Sequence, residues 1–295
     1  MTKPIISISN LSKSYKDTNV LKSLSWQIEQ GDIVALLGKN GAGKSTLLEI
    51  IMNLREFNSG ELKLWGQDWE FLSQQHREQI GFVAQDICGF EWMKVEDFIT
   101  YLGGFFPSWT KDYSDQLMQR WNMDPKKSVA DLSGGQNQIL HVIQALSIKP
   151  ELLVLDEPVA HLDPSMRRQF IAELIDLSCE QQTTVIFSSH IVSDLERVAN
   201  KVALLNNGKI EHYYDVEKLK SSIAHLKISS DNALEQSAEF AHLANWQTHA
   251  DGATATIIKP SEQSIEDLAR LTNTKIEVTP ISMEDWYLEI NHGTN

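Results

Sequence analysis

A chain of 295 residues is long enough for one large domain and a smaller one. Its formal net charge of −14 argues against a nucleic-acid partner gripped by a general basic surface, and no apolar run approaches the roughly 18 residues that a membrane-spanning helix needs. Cys88 and Cys179 stand far apart without metal-ligand spacing, and Met1–Ile6 lacks the apolar stretch of a signal peptide, so a reduced cytosolic protein is expected.

In chain order, the alternating Ile6–Ser9, the stretch Val20–Ile28 and the half-buried pattern of Gly60–Gly66 read as strands of an antiparallel sheet. Ile33–Leu37 is five apolar residues in a row, the mark of a strand buried on both faces. Beyond the glycine-rich segment that follows it, Leu47, Leu48, Ile50, Ile51 and Leu54 set a helical period with one buried face. From Gln85 to Lys149 the sequence turns helical and aromatic, which predicts a helical subdomain over about residues 87–149. Its aromatics, among them Phe90, Trp92, Phe98, Tyr101, Phe105, Phe106, Trp109, Tyr113 and Trp121, read as its own core, with a docking groove for a partner helix as the alternative. Continuous apolar strands recur at Leu152–Leu155, Val185–Phe187 and Val202–Leu205 between helical stretches, which predicts an α/β core built on a parallel sheet.

The pattern restarts after Ser221, dividing the chain into 1–220 and 221–295. Residues 226–295 hold 4 Lys/Arg against 11 Asp/Glu, so this last quarter carries −7. Leu226–Ile228 reads as a strand, Asn232–Ala244 as a helix, and Trp246–Ala250 with Ala253–Ile258 as a hairpin about Asp251-Gly252. Ser264–Leu271 reads as a helix with Ser264 as its cap and Asp267 at the capping-box position, followed by a strand at Lys275–Val278 and a helix at Ser282–Ile290. The order β-α-β-β-α-β is that of a ferredoxin-like α+β module.

Three segments carry chemistry. Gly38, Lys39, Asn40, Gly41, Ala42, Gly43, Lys44, Ser45 and Thr46 follow a strand and open a helix, the arrangement in which backbone N–H groups cradle the phosphates of ATP or GTP. Lys44 is placed to reach the β- and γ-phosphates and the Ser45 hydroxyl to ligate Mg²⁺. Leu152–Leu155 ends in Asp156-Glu157, and ligands of open α/β sheets gather at strand carboxyl ends. Asp156 is therefore a candidate Mg²⁺ holder and Glu157 a candidate general base for the attacking water. Ser133, 23 residues before Asp156, sits at a helix N-cap with Gly134 and Gly135 after it. Ile139, Val142, Ile143 and Leu146 continue that helix, Lys149-Pro150 stops it, and its N-terminus is a second anion-seeking end.

Together these residues resemble the nucleotide-binding subunits of ABC transporters over roughly residues 5–215, which implies a P-loop NTPase (RecA-like) core. Gly38–Ser45 is similar to the Walker A loop, Leu152–Glu157 to Walker B with its catalytic glutamate, and Leu132-Ser133-Gly134-Gly135-Gln136 to the signature motif. Gln85 resembles the Q-loop glutamine, a Mg²⁺ ligand, and Leu162-Asp163-Pro164 the D-loop. His190 resembles the switch histidine at the γ-phosphate, and Tyr15 falls where the family stacks an aromatic on adenine. The resemblance implies ATP and Mg²⁺ as cofactors and a head-to-tail homodimer in which Ser133–Gly135 of one copy completes the ATP site of the other. It also implies an integral-membrane permease as partner and a place on the inner face of the cell membrane. Two positions depart from the family pattern: Ile139 stands where a basic residue is common, and His161 where a small one is.

Phe105–Trp109, Trp121–Lys127 and Ile281–Glu289 resemble bacterial ABC-2 type exporter ATPases. The alternatives are an importer ATPase, since methionine-type importers also carry a ferredoxin-like C-terminal module, and a soluble ABC ATPase. The single cassette and the absence of a heptad insertion argue against the latter.

Overall fold

The apolar run Ile33–Leu37 is fully buried and forms a central strand. The computed structural model describes residues 4–85, 89–189, 192, 196–230, 240, 243–258 and 262–292. They fall into two compact units, Met1–Tyr213 and Tyr214–Asn295.

In the first unit, β1 (Pro4–Tyr15), β2 (Thr18–Glu29) and β4 (Ser59–Leu64) make the expected antiparallel sheet in the order β2-β1-β4. The second sheet has the order β5-β6-β7-β3-β8-β9, with β3 (Ile33–Leu37), β5 (Ile80–Val83), β6 (Leu152–Leu155), β7 (Thr184–Ser188), β8 (Lys201–Asn206) and β9 (Lys209–Asp215). Strands β5, β6, β7, β3 and β8 run parallel. Strand β9 returns from β8 across Asn207-Gly208, both at positive φ (49° and 79°), as a two-residue hairpin turn requires.

Helix α1 (Lys44–Ile51) buries Leu47, Leu48, Ile50 and Ile51 in a cluster shared by both sheets. Each such side chain contributes about 1.5–3 kcal/mol. The sequence pattern carried this helix to Leu54; it stops at Ile51, and Leu54 is 65% exposed. Short α2 (Gln74–Glu78) leads into β5. The helical subdomain holds α3 (Val95–Gly103), α4 (Lys111–Arg120) and α5 (Gly134–Ser147), and α6 (Pro164–Gln181) follows β6.

The aromatics of this subdomain do not form one core. Phe98 and Trp121 are buried, but Trp92, Phe105 and Tyr101 are 76%, 63% and 51% exposed. Helix α3 has nine residues and buries one face, Val95, Phe98, Ile99 and Gly103, which turns Tyr101 and the following Phe105 outward.

In the second unit, β10 (Ile223–Ser229), β11 (Ala244–His249), β12 (Gly252–Ile258) and β13 (Lys275–Pro280) form an antiparallel sheet in the order β11-β12-β10-β13. Numbered within the unit this is 2-3-1-4, the strand order of the ferredoxin-like module. Of the predicted first helix, Asn232–Ala244, most lies outside the described residues, and its last residue opens β11. The next helix begins at Glu262, so Ser264 lies inside it and is not its cap. Ser282 does cap the last helix, Met283–His292, accepting from Asp285 N at 3.0 Å.

Candidate functional site

Strand β3 ends at Leu37, the glycine loop turns the chain, and α1 starts at Gly43 with no side-chain cap. Gly43 has φ +103°, and a Cβ there would stand 2.9 Å from Val20 Cγ1, so conformation and packing both demand glycine. No side chain caps the first N–H groups of α1. A cleft of about 390 Å³ lies there, lined by Val20, by Asn40, Gly41, Gly43, Lys44, Ser45 and Thr46 of the loop, and by Gln85 and Glu157.

Lys44 is 7% exposed; its Nζ donates to Gly38 O at 2.9 Å and stands 3.7 Å from Glu157 Oε1. Strand β6 delivers Asp156 and Glu157 to the same sheet end, 3% and 7% exposed. Ser188, the last residue of β7, locks the pair: its hydroxyl donates to Asp156 Oδ1 at 2.6 Å and accepts from Glu157 N at 2.8 Å. Glu157 sits at φ +49°, a conformation non-glycine residues hold only where surroundings impose it. Sequence reading did not single out Ser188 or Val20. Ser188 was findable as the residue ending the strand parallel to β6; Val20 carries no signal of its own.

The other expected residues lie elsewhere. Ser133 caps α5 in a closed capping box: its hydroxyl accepts from Gln136 N at 3.2 Å, and Gln136 Oε1 accepts from Ser133 N at 3.2 Å. Lys127 Nζ also donates to Gln136 Oε1 at 3.0 Å. Gly134 is open to its surroundings, whereas a Cβ on Gly135 would stand 2.7 Å from His161 O. This contact is to the backbone, so the departure at His161 leaves it intact. Ile139 is fully buried, where a basic side chain would have no place. Asp163 Oδ1 accepts from Ser165 N and Met166 N as the N-cap of α6. The Tyr15 ring, 37% exposed, lies 5.0 Å from Lys13 Nζ and 5.3 Å from Arg55 Cζ and is not among the residues lining the cleft. His190 lies outside the described residues.

The groups at the cleft fit a nucleotide triphosphate with a hard divalent cation. An uncapped helix start and a buried ammonium suit phosphate. The hydroxyl of Ser45, the amide oxygen of Gln85 and the carboxylate of Asp156 are oxygen donors with a single charge. Mg²⁺ is commonly held so, one or two carboxylates sharing it with phosphates and water. Among the described residues no cluster of three or more His, Cys, Asp or Glu offers another metal site.

The fold and this cleft define a phosphate-loop nucleoside triphosphatase. The family described as ABC transporter matches residues 21–160. An uncharacterized ABC transporter ATP-binding protein of Bacillus subtilis (strain 168), YxlF, is 29% identical, over 98% of this chain and 100% of its own length. The probable sulfate/thiosulfate import ATP-binding protein CysA of Chlorella vulgaris is 33% identical over 70% of this chain and 89% of its own. Among solved structures, the ATP-binding cassette MJ0796 in a dimeric, post-hydrolysis state with ADP and Pi superposes with a TM-score of 0.64 at 22% identity, over 72% of this chain and 98% of that one. The chain belongs to the ABC transporter ATP-binding family and is an ATP-binding, ATP-hydrolysing transporter subunit.

Proposed function

We propose that the subunit works as a head-to-tail homodimer enclosing two ATP–Mg²⁺, on the inner face of the membrane, and drives a separate permease in export. The observation that carries this is the separation of the two anion-seeking helix starts. The cleft at Lys44 is lined by the start of α1, and Ser133 is not among its residues. A second copy brings Ser133–Gly135 to the first copy's nucleotide and so completes each site.

Within the site, the glycine loop residues 38–46 hold the phosphates, Tyr15 stacks on adenine, and Ser45, Gln85 and Asp156 hold Mg²⁺. When bound, Mg²⁺ would supply neutralisation of the phosphates' negative charge. Lys44 is held by Gly38 O and faces Glu157. Phosphates compete for that ammonium, and Lys44 turning to them frees Glu157 to accept the proton of the attacking water. His190 reaches the γ-phosphate, and Asp163, while capping α6, belongs to the dimer contact.

No helix among the described residues is long and apolar enough to cross a membrane, so the spanning part is assigned to another chain. Trp92, Tyr101 and Phe105 supply an exposed aromatic surface on which a permease segment can dock. No nucleic acid is expected, given the charge of −14. Export rests on the similarity of 105–109, 121–127 and 281–289 to exporter ATPases. Import is the second reading, favoured by the similarity to CysA, a probable sulfate/thiosulfate import ATP-binding protein whose match covers 70% of this chain.

Glu157→Gln tests the proposal. The variant should bind ATP, sediment as a dimer with it, and lose turnover by roughly 10²–10⁴-fold, the usual weight of a general base. Hydrolysis at the wild-type rate would remove Glu157 from that role, and a monomer with saturating ATP would remove the dimer.

A further inference from the structure

Four rings run inward from the exposed surface of the helical subdomain. Trp92 packs on Phe90 with centroids 5.6 Å apart, Phe90 on Phe98 at 5.4 Å, and Phe98 edge-on to His141 at 4.9 Å. Tyr101 and Phe105 join from the side, with Tyr101 6.3 Å from Phe90 and 5.4 Å from Phe105. Exposure falls along the series, from 76% at Trp92 to none at Phe98. Phe90 holds φ +64°, a strained conformation for an aromatic residue, so the turn at its head is imposed by its surroundings.

The series ends on α5, two turns into the helix that Ser133 caps. A second connection meets the same helix start. Val95 N and Glu96 N at the head of α3 donate to Lys127 O and Pro125 O at 3.0 and 2.9 Å, and Lys127 Nζ grips Gln136 of the capping box. Helix α3 is thus tied to α5 at the cap and two turns below it.

The buried face of α5 is not fully satisfied in this arrangement. Asn137 Oδ1, Gln138 Nε2 and His141 Nε2 are buried and find no hydrogen-bond partner among the described residues. Burial pushes the His141 imidazole down to about 4, so the ring is neutral at physiological pH. Orphaned polar atoms of this kind call for an explanation. Here a second seating of α3 against α5, in which some find partners, supplies one.

The geometry points to Phe98 and His141 as positioning residues that couple the aromatic surface at Trp92 to the Ser133 end of α5. This rests on the dimer reading above, in which Ser133 meets nucleotide. Coupling of this kind is reciprocal. A permease segment landing on Trp92 shifts the signature helix, and nucleotide closure at Ser133 shifts Trp92. The second half can be measured without the permease.

The chain has eight tryptophans. The full-length Glu157→Gln protein is labelled with fluorotryptophan, the Trp92 resonance is assigned with Trp92→Phe, and ATP is added while the dimer is followed by sedimentation. The expected result is a Trp92 shift that accompanies dimerisation. His141→Ala should abolish it and His141→Phe, which keeps the ring edge on Phe98, should retain it. Phe98→Leu should abolish it as well, and the His141 pair decides the matter where that variant is too unstable to use. A dimer whose Trp92 resonance stays put overturns the coupling and leaves the dimer reading intact. So does a shift of full size in His141→Ala. A protein that stays monomeric with ATP removes the dimer reading and the coupling with it.

Discussion

Helix α1 opens at Gly43, which has no side chain with which to cap, and its buried face is apolar apart from the aliphatic stem and ammonium of Lys44. Helix α5 opens at Ser133, whose hydroxyl and Gln136 satisfy each other's backbone N–H groups, and its inner face carries buried amides and an imidazole. Both starts are flanked by glycines, and the residue at the cap separates them. The first leaves its N–H groups and the positive end of its dipole to a ligand, with a buried cation beside it. The second satisfies two of its N–H groups, those of Ser133 and Gln136, from within the chain. A monomer can therefore bind nucleotide at α1 with α5 fully folded, which suits a switch that closes only when a second copy arrives.

The contrast is most easily broken at Lys44. Lys44→Ala removes the donor to Gly38 O and the cation 3.7 Å from Glu157 Oε1. ATP affinity in a calorimetric titration should collapse. The ligand-free protein should lose about 3 kcal/mol in urea unfolding, since one member of a buried ion pair has gone. Unchanged affinity would refute the assignment of the cleft.

On the side of α5, the expected effect is a pH dependence. His141 titrates near 6.5 in the unfolded chain and at about 4 in the folded one. Between those values the unfolded chain binds a proton that the folded chain refuses, so stability rises with pH. The contribution is complete above 6.5 and is lost as pH falls towards 4. Its full size is on the order of 3 kcal/mol. His141→Phe should flatten this part of the profile, read as the difference in urea midpoint between wild type and variant across the window. Parallel profiles would show that the imidazole is solvated.

How much of this the sequence disclosed follows from how local each feature is. The glycine loop, the strand before it and the Ser133 cap are contiguous patterns whose chemistry is set by neighbours within a few residues, and all three are legible. Strand β5 is only Ile80–Val83, too short to show a period, whereas the turn at Asn207-Gly208 is of a residue type that marks a hairpin. Burial of the aromatics was not legible, because Trp92 and Phe98 differ only in which side of a nine-residue helix, and of the turn before it, they occupy. Nor was the bridge from Ser188 to Asp156 and Glu157, which spans about thirty residues and exists only once β6 and β7 pair. The roles of Tyr15 and Asp163 rest on resemblance alone; locally one lies beside cations and the other caps a helix.

Ser133→Ala sharpens the comparison further. Losing a helix cap costs about 1 kcal/mol, and that much should appear in the stability of the ligand-free chain. ATP affinity of the monomer should stay at the wild-type level, because the cleft at α1 does not include Ser133. Turnover and the ATP-dependent dimer of the Glu157→Gln background should both weaken. A fall in monomer affinity would instead place Ser133 at its own chain's nucleotide.

The smallest expected effect is at Lys127. Its ammonium adds a second donor to Gln136 Oε1, which already accepts from Ser133 N. Lys127→Met keeps the aliphatic stem and the carbonyl that receives Val95 N, and removes only that donor. The stability change should be about 0.5 kcal/mol, since the hydrogen bond is half-exposed and the capping box survives. What should change is the order of the Gln136 side chain, and with it the lifetime of the ATP-bound dimer in the Glu157→Gln background, measured by subunit exchange. Faster exchange at unchanged stability would show that α5 is tuned for its encounter with a second copy beyond what folding demands. Identical exchange would mean that the capping box needs no outside support, and the difference between the two helix starts would then reduce to Ser133 against Gly43.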